Sequence, residues 1–309
     1  MIASHKQPIL SSSDTRTNHY NCTAMAPTLS SALTELREKG IVMCMQHGPI
    51  LGRHSKCFPA RYETTGERLW VKHCYGSTDV GCHELQVLCR LSNVEGLPKI
   101  ICSVYIKEDG SWMYVMTTVG EHAMDLTNFV EKNMVDRDQN LPVILQSIYE
   151  ITARLLARGY VQMDMKPANF VVDRKTLKVM MIDFGAVHRL VDDGAYIMQR
   201  FKGLAWAKTD IYRAPENNEH GIVPAQHATW CFGMIAYYLA TGVEVIEDYD
   251  AVCQIGQTNL QRHIIQMVGY ETGLTRIILR CLTIQPCIRI QFPMIYLLLT
   301  MYKKKTNKM

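Results

Sequence analysis

The 309-residue chain has no run of 18 apolar residues, the least that would read as a membrane-spanning helix. Its best stretch, Cys231 to Val243, is too short and is broken by Gly233, Thr241 and Gly242. The amino terminus carries Ser4, His5, Lys6 and Gln7 where a secretory leader needs an apolar segment. There is no Cys-x-x-Cys pair, and the eleven cysteines are odd in number and irregularly spaced. That usage is expected of reduced, mostly buried thiols in an intracellular protein, cytoplasmic or nuclear. No collagen-like, coiled-coil or low-complexity pattern is present, nor any internal repeat. A large excess of one charge is also missing: 33 Lys and Arg face 29 Asp and Glu, and four of the lysines fall in the last seven residues, Lys303 to Met309. Residues 1–302 are therefore neutral, which argues against a nucleic-acid partner; no membrane partner is expected either. The basic end reads as a solvated tail.

What remains is an ordinary globular composition, 48% hydrophobic and 20% charged, over a length that suits two lobes with a cleft between them. Residues 1–40 read as a flexible leader with a short helix over Ser30–Lys39, stopped by Gly40. From 41 to 118 the pattern favours strands: Ile41–Met45, Lys56–Tyr62, Arg68–Cys74, Ile100–Ile106 and Trp112–Thr118. One helical stretch, Val80–Leu91, interrupts them. From 119 to 302 the pattern turns helical, with Leu141–Leu156, Ala228–Ala240 and Leu274–Leu282. Two strand-like pieces, Phe170–Val172 and Val179–Ile182, lie between the first two of these helices. The expected class is α+β: a β-rich amino-terminal lobe with one helix, an α-rich carboxy-terminal lobe, and a basic tail at 303–309. The junction of two such lobes makes a cleft, where ligands commonly sit.

Polar chemistry concentrates in Gln162-Met163-Asp164-Met165-Lys166-Pro167-Ala168-Asn169, a loop between a helix and a strand. A strand-turn-strand then leads to Asp183-Phe184-Gly185 and returns Asp183 beside Asn169. An oxygen-donor pair of that kind suits Mg²⁺. The carboxylate at 164 offers a proton acceptor and the ammonium at 166 a positive point charge. Together these are the parts that phosphoryl transfer needs. Each half alone is a common turn; the two together, 19 residues apart with apolar strands between, are far more specific.

With those motifs the chain resembles the eukaryotic-type protein kinases over about residues 41–300. Ala214-Pro215-Glu216 stands where the family closes its activation segment, and Arg289 matches the arginine that pairs with that glutamate. Trp230-Cys231-Phe232-Gly233 resembles the family's W-S-x-G helix. Leu69-Trp70-Val71-Lys72 resembles V-A-I-K, which makes Lys72 the phosphate-holding lysine and Glu84 its ion-pair partner. The nearest branch is the casein kinase 1 group, on Gly96-Leu97-Pro98, on Tyr114 to Gly120 followed by Asp125-Leu126, and on Lys166-Pro167-Ala168-Asn169-Phe170. A divergent kinase of the sort a large DNA virus encodes fits as well. The resemblance implies ATP and Mg²⁺ as cofactors, and a protein carrying a Ser or Thr acceptor as substrate. It implies Asp164, Lys166 and Thr209 as catalytic residues and Asn169 and Asp183 as metal ligands. Around the nucleotide it implies Lys72, Glu84, Gly52, Ser55, Met116 as gatekeeper, Val119 as the hinge residue, Asp125 toward the ribose, and Val171.

Four positions depart from the family. Ile50, Gly52 and Ser55 occupy the three glycine positions of the phosphate loop, where a missing Cβ lets backbone N–H groups approach phosphates. Trp70 replaces the alanine over the adenine, and either crowds the base or turns aside into the lobe core. Met163 replaces the arginine that pairs with a phosphorylated activation segment. Ala228 replaces the aspartate that anchors the catalytic loop and Gln162 the usual histidine; the two either compensate or leave the loop looser. These departures support a competing reading, a pseudokinase acting as a binding or scaffold module.

Overall fold

Alternation of side chains along two strands organises the amino-terminal half. Strands β1 (Ile41–Met43), β2 (Ile50–Leu51), β3 (Ser55–Tyr62), β4 (Arg68–Cys74), β5 (Ile100–Ile106) and β6 (Ser111–Thr117) form one antiparallel sheet. Its order is β1-β3-β4-β6-β5, with β2 paired to β3. The architecture is that of a computed structural model, which describes residues 29–44, 48–52, 55–75, 78–136, 138–190, 210–216, 223–246, 254–270 and 272–306. Leu69 and Val71 of β4 and Met113 and Val115 of β6 share one face of the sheet. They are buried there with Ala32 and Leu36 of helix α1 (Leu29–Glu38). Tyr114 faces the other way, into a cluster with Leu85 and Leu88 of helix α2 (Thr78–Arg90). Lys72, two residues from Trp70 on β4, shares that second face.

The carboxy-terminal half is built on two helices. In α4 (Leu141–Ala157), buried Leu141, Ile144, Leu145, Ile148, Ile151 and Leu155 recur at spacings of three and four. Helix α5 (Pro224–Thr241) is buried on all sides, as a central helix must be. Pro224 opens it, and Gly242 closes it in a left-handed conformation with φ of 79°. Helices α3 (Leu126–Glu131), α6 (Gln257–Val268), α7 (Gly273–Cys281) and α8 (Ile295–Thr306) complete this half. Strands β7 (Ala123–Asp125), β9 (Phe170–Asp173) and β10 (Val179–Met181) form a small sheet in order β10-β9-β7. A further pair joins β8 (Tyr160–Gln162) to β11 (Val187–Arg189). These short strands hold the loops that carry the polar motifs. The α+β, two-lobed class expected from the sequence is the class observed.

Strands β4 and β5 have the limits read from the sequence, and the expected helices differ at their ends by no more than four residues. Pieces of three residues such as β7, β8 and β11 show no period to read. One expectation fails: of the eight cysteines whose side chains are described only Cys74, Cys231 and Cys281 are buried, while Cys89 and Cys287 are exposed. The others lie on sheet strands or at their ends with half-covered side chains. Among the described residues no helix is long and apolar enough to cross a membrane.

Gly96 joins the halves. Its φ is +87°, and a Cβ there would lie 2.3 Å from Ile151 Cγ1 of α4. Its carbonyl accepts a hydrogen bond of 2.9 Å from the Met181 N–H. Both the backbone conformation and the close approach demand glycine. Gly96→Ala should therefore lower the unfolding free energy by about 2–3 kcal/mol. A urea midpoint equal to wild type would refute this account of the junction.

Candidate active site

The cleft is organised by a buried ion pair. Strand β4 delivers Lys72 and helix α2 delivers Glu84, and Lys72 Nζ donates to Glu84 Oε1 at 2.8 Å and Oε2 at 2.7 Å. Both residues are buried. Burial alone would pull the lysine pKa down, but the Glu84 and Asp183 carboxylates outweigh it and hold the ammonium well above its ordinary range. Glu84 Oε1 also accepts the Phe184 N–H at 3.2 Å, and the Phe184 ring is fully buried. The turn at Asp183 is thus fixed from both sides. Asp183 has a φ of 62°, left-handed and unusual for a non-glycine. Its Oδ1 stands 3.9 Å from Lys72 Nζ, and its side chain is 52% exposed, so the carboxylate is open to the cleft.

The second cluster is the loop after β8. Lys166 Nζ lies 2.6 Å from Asp164 Oδ2. Asn169 Nδ2 donates to the Asp164 carbonyl at 2.8 Å and reaches Asp164 Oδ2 at 3.3 Å. The Ile182 N–H donates to the Asn169 carbonyl at 2.8 Å, which ties Asp183 to this loop. Asp164, Lys166, Asn169 and Asp183 are therefore brought together. Asn169 Oδ1 has no hydrogen-bond partner among the described residues. That oxygen and the open Asp183 carboxylate form a hard donor set that fits Mg²⁺.

The loop is anchored in a way the sequence left open. Gln162 Nε2 donates to the Asp183 carbonyl at 2.8 Å, and Gln162 Oε1 accepts the Asp164 N–H at 3.0 Å. One amide thus links both clusters, as a donor at one end and an acceptor at the other. The Met163 N–H is spent on the Ala186 carbonyl at 2.9 Å. His227, beside Ala228 on α5 and fully buried, is hydrogen-bonded to the Met163 backbone. With the N–H already engaged, the available group is the carbonyl, and the imidazole N–H is the donor. Burial lowers the His227 pKa to about 4, so the ring is neutral at physiological pH. Ala228 is itself fully buried. Gln162 and His227 together do what the alanine at 228 cannot, and the loop is held rather than loose.

The nucleotide-side residues are more mixed. Val119 follows β6, and its backbone groups have no hydrogen-bond partner among the described residues. Met116 lies beside Trp70 in the sheet register. Val171 pairs with Asp125 across β9 and β7, on the strand face opposite the buried Phe170 and Val172. Asp125 is engaged at the head of α3. It caps α3, with Oδ1 accepting the Asn128 N–H at 2.9 Å and Oδ2 accepting Asn128 Nδ2. A cap is the commonest use of an aspartate before a helix. Trp70 is half-buried and joins neither hydrophobic core, which overturns the reading that it turns into the lobe core. The Arg68 guanidinium lies 5.4 Å from its ring centroid, and Arg68 donates to the Glu121 carbonyl at 2.8 Å. Between β2 and β3, the Gly52 N–H is spent on the Ser55 carbonyl at 2.8 Å. A Cβ at 52 would lie 2.8 Å from Ser55 Oγ. Thr209 lies outside the described residues.

Away from the cleft, Arg289 is buried and fully engaged. It pairs with both Glu216 carboxylate oxygens, at 2.5 and 2.8 Å, and donates to the carbonyls of Thr283, Ile284 and Gln226. Its guanidinium lies 5.0 Å from the Trp230 ring centroid. The sequence matches the protein kinase domain family over residues 51–296. The chain belongs to the protein kinase family. Its relatives include serine/threonine-protein kinase B of Synechocystis sp., 25% identical over 187 residues, which cover 59% of this chain and 31% of that protein. Serine/threonine-protein kinase 16 of Rattus norvegicus is 25% identical over 173 residues, 53% of this chain and 55% of that one. A non-specific serine/threonine protein kinase of Drosophila melanogaster is 28% identical over 139 residues, 44% of this chain and 20% of that one. The matched stretches thus span about half or less of these curated relatives.

Two further residues of the kinase site carry no sequence signal. His227 stands one position from the expected anchor, and His83, beside Glu84 on α2, contacts the Val187 carbonyl at 2.8 Å through Nε2. A lone histidine announces neither role. The donor–acceptor pattern makes a sharp expectation for His227. Removing its donor with His227→Phe should lower turnover by about tenfold or more, as expected when a positioning contact is lost. His227→Gln, which keeps an N–H donor, should retain most of it. Adding Ala228→Asp to His227→Phe should not restore activity, because the Met163 and Asp164 N–H groups are already taken and the new carboxylate would be buried unpaired. Recovery in that double variant would overturn the assignment.

Proposed function

We propose that the chain is a serine/threonine protein kinase that transfers the γ-phosphoryl group of ATP to a protein hydroxyl. The observation that carries this reading is the joint arrangement of Lys72–Glu84, the open Asp183 carboxylate and the Asp164–Lys166–Asn169 loop. Asp164 accepts the proton of the acceptor hydroxyl or orients it. Lys166, already within 2.6 Å of Asp164 Oδ2, places positive charge where the transferred group develops negative charge. Lys72, held charged by Glu84, positions the nucleotide phosphates. Asn169 Oδ1 and Asp183 would hold Mg²⁺, which supplies charge neutralisation between the phosphates. The backbone groups of Val119 are free to meet the edge of the base, with Met116 and Val171 beside it. Lys166 two residues after Asp164 resembles the serine/threonine branch, and the names of the three relatives agree with it. Resemblance to the casein kinase 1 group belongs to the same proposal.

A pseudokinase is the second reading, and two observations favour it. Trp70 stands on the cleft face under Arg68, and the Gly52 N–H is consumed within its own turn. Phosphate transfer from labelled ATP to casein, with and without Asp164→Asn, separates the two. Transfer by wild type that falls by at least about a thousandfold in the variant, with an unchanged melting temperature, is expected of the enzyme. A folded protein with no transfer in either form would move the assignment to the pseudokinase.

Met163 in place of an arginine carries a regulatory consequence. Without a guanidinium before Asp164, a phosphate on the activation segment has no cation at that position to order it. Activity should therefore survive phosphatase treatment within about twofold. A loss of tenfold or more would show that another cation has taken over the arginine's part.

A further inference from the structure

Helix α8 presents two unlike faces. Ile295, Leu299 and Tyr302 are buried where the helix packs on α4 and α7. On the outer side Leu297 is 52% exposed and Met301 59%; Tyr296 flanks them, 48% exposed with its ring 6.0 Å from that of Tyr149 on α4, and Met294 just before the helix is 48% exposed. Leu297 and Met301 are one turn apart, and Lys304 continues the same line with an exposed side chain. Four large apolar side chains open to water within eight residues are not the scattered exposure of an ordinary surface. They also adjoin charge of one sign. From residue 290 to 309 the chain holds four Lys and no acid, although its total is only +4.

We infer that the outer face of α8 docks on an anionic lipid surface, with Leu297 and Met301 entering the interface and Lys303 and Lys304 meeting the headgroups. The basic end is then a docking element, not merely a solvated tail. Charge complementarity selects the occupant: an apolar stripe that runs into exposed Lys303 and Lys304 suits a negatively charged, deformable surface. Such a surface needs no groove, and the stripe lies on the side of the helix turned away from the packed core. A helix lying in the plane of the interface also agrees with the absence of a spanning helix among the described residues. This inference does not depend on whether the cleft is catalytically active.

The test is co-sedimentation of the full chain with vesicles of phosphatidylcholine alone, or of phosphatidylcholine with about 30% phosphatidylserine. Binding should require phosphatidylserine and should weaken at high salt. Leu297→Ser with Met301→Ser, and separately Lys303→Gln with Lys304→Gln, should each weaken it by about tenfold or more while leaving the melting temperature unchanged. Three results would overturn the inference. One is no binding to phosphatidylserine vesicles. Another is a concentration-dependent dimer, broken by the apolar pair, in place of vesicle binding, which would make the face a contact between copies. The last is vesicle binding that ignores the apolar pair and is matched by binding to duplex DNA, which would make the attraction charge alone.

Discussion

The Lys72–Glu84 pair is the constraint on which the rest of the cleft depends. Two charges withdrawn from water cost several kcal/mol of desolvation, and their attraction does not reliably exceed that cost. An apolar pair of similar volume would hold β4 to α2 about as well. What an apolar pair could not do is accept the Phe184 N–H, and through it fix the turn that presents Asp183. One carboxylate thus sets three things together: the charge on Lys72, the position of α2, and the left-handed backbone of Asp183. The open Asp183 carboxylate, 3.9 Å from the lysine, is the product of that arrangement. Buried polarity of this kind is evidence of a site, since stability alone does not call for it.

The catalytic loop shows how a family pattern can change its residues and keep its physics. A backbone segment has fixed donors and acceptors, and each buried one must be paired. In this chain the Asp164 N–H goes to Gln162 Oε1, and the Met163 N–H goes to Ala186. Once the donors are satisfied, an aspartate at 228 would find nothing to accept. The group left over is a carbonyl, and it calls for a donor, which a neutral histidine at 227 supplies. The loss at 228 and the gain at 227 are therefore one exchange, an acceptor given up and a donor introduced.

That exchange also marks the boundary of what the sequence reveals. The polar groups of the cleft were legible because short motifs at fixed spacing carry them, and the two lobes were legible because strand and helix periods differ. Gln162 and His227 were not, since their roles exist only where β8 meets α5, and a single histidine carries no pattern. Asp125 shows the same limit: its resemblance pointed across the cleft, and the cap it makes on α3, three residues away, was not read. Trp70 could be placed on a strand but not on a side, because an aromatic suits either face. Its alternation with Leu69 and Val71 decides the face only once α1 is known to cover the other one.

Two of the departures, Trp70 and the turn at Gly52, fall on the nucleotide side of the cleft, while those at Gln162, Met163 and Ala228 lie beside the catalytic loop, whose backbone stays paired. Trp70 and the turn at Gly52 concern the base and the loop over the phosphates, contacts made about equally with substrate and transition state. Weakening such contacts raises KM and leaves the barrier from the bound state largely unchanged. Asp164, Lys166, Asn169 and Asp183 lie where charge shifts during transfer, and they are all present and mutually positioned. A scaffold that had lost its chemistry would have no physical reason to keep a half-exposed carboxylate at Asp183 beside an Asn169 oxygen with no partner among the described residues. These retained groups are the ground on which the proposed kinase activity rests.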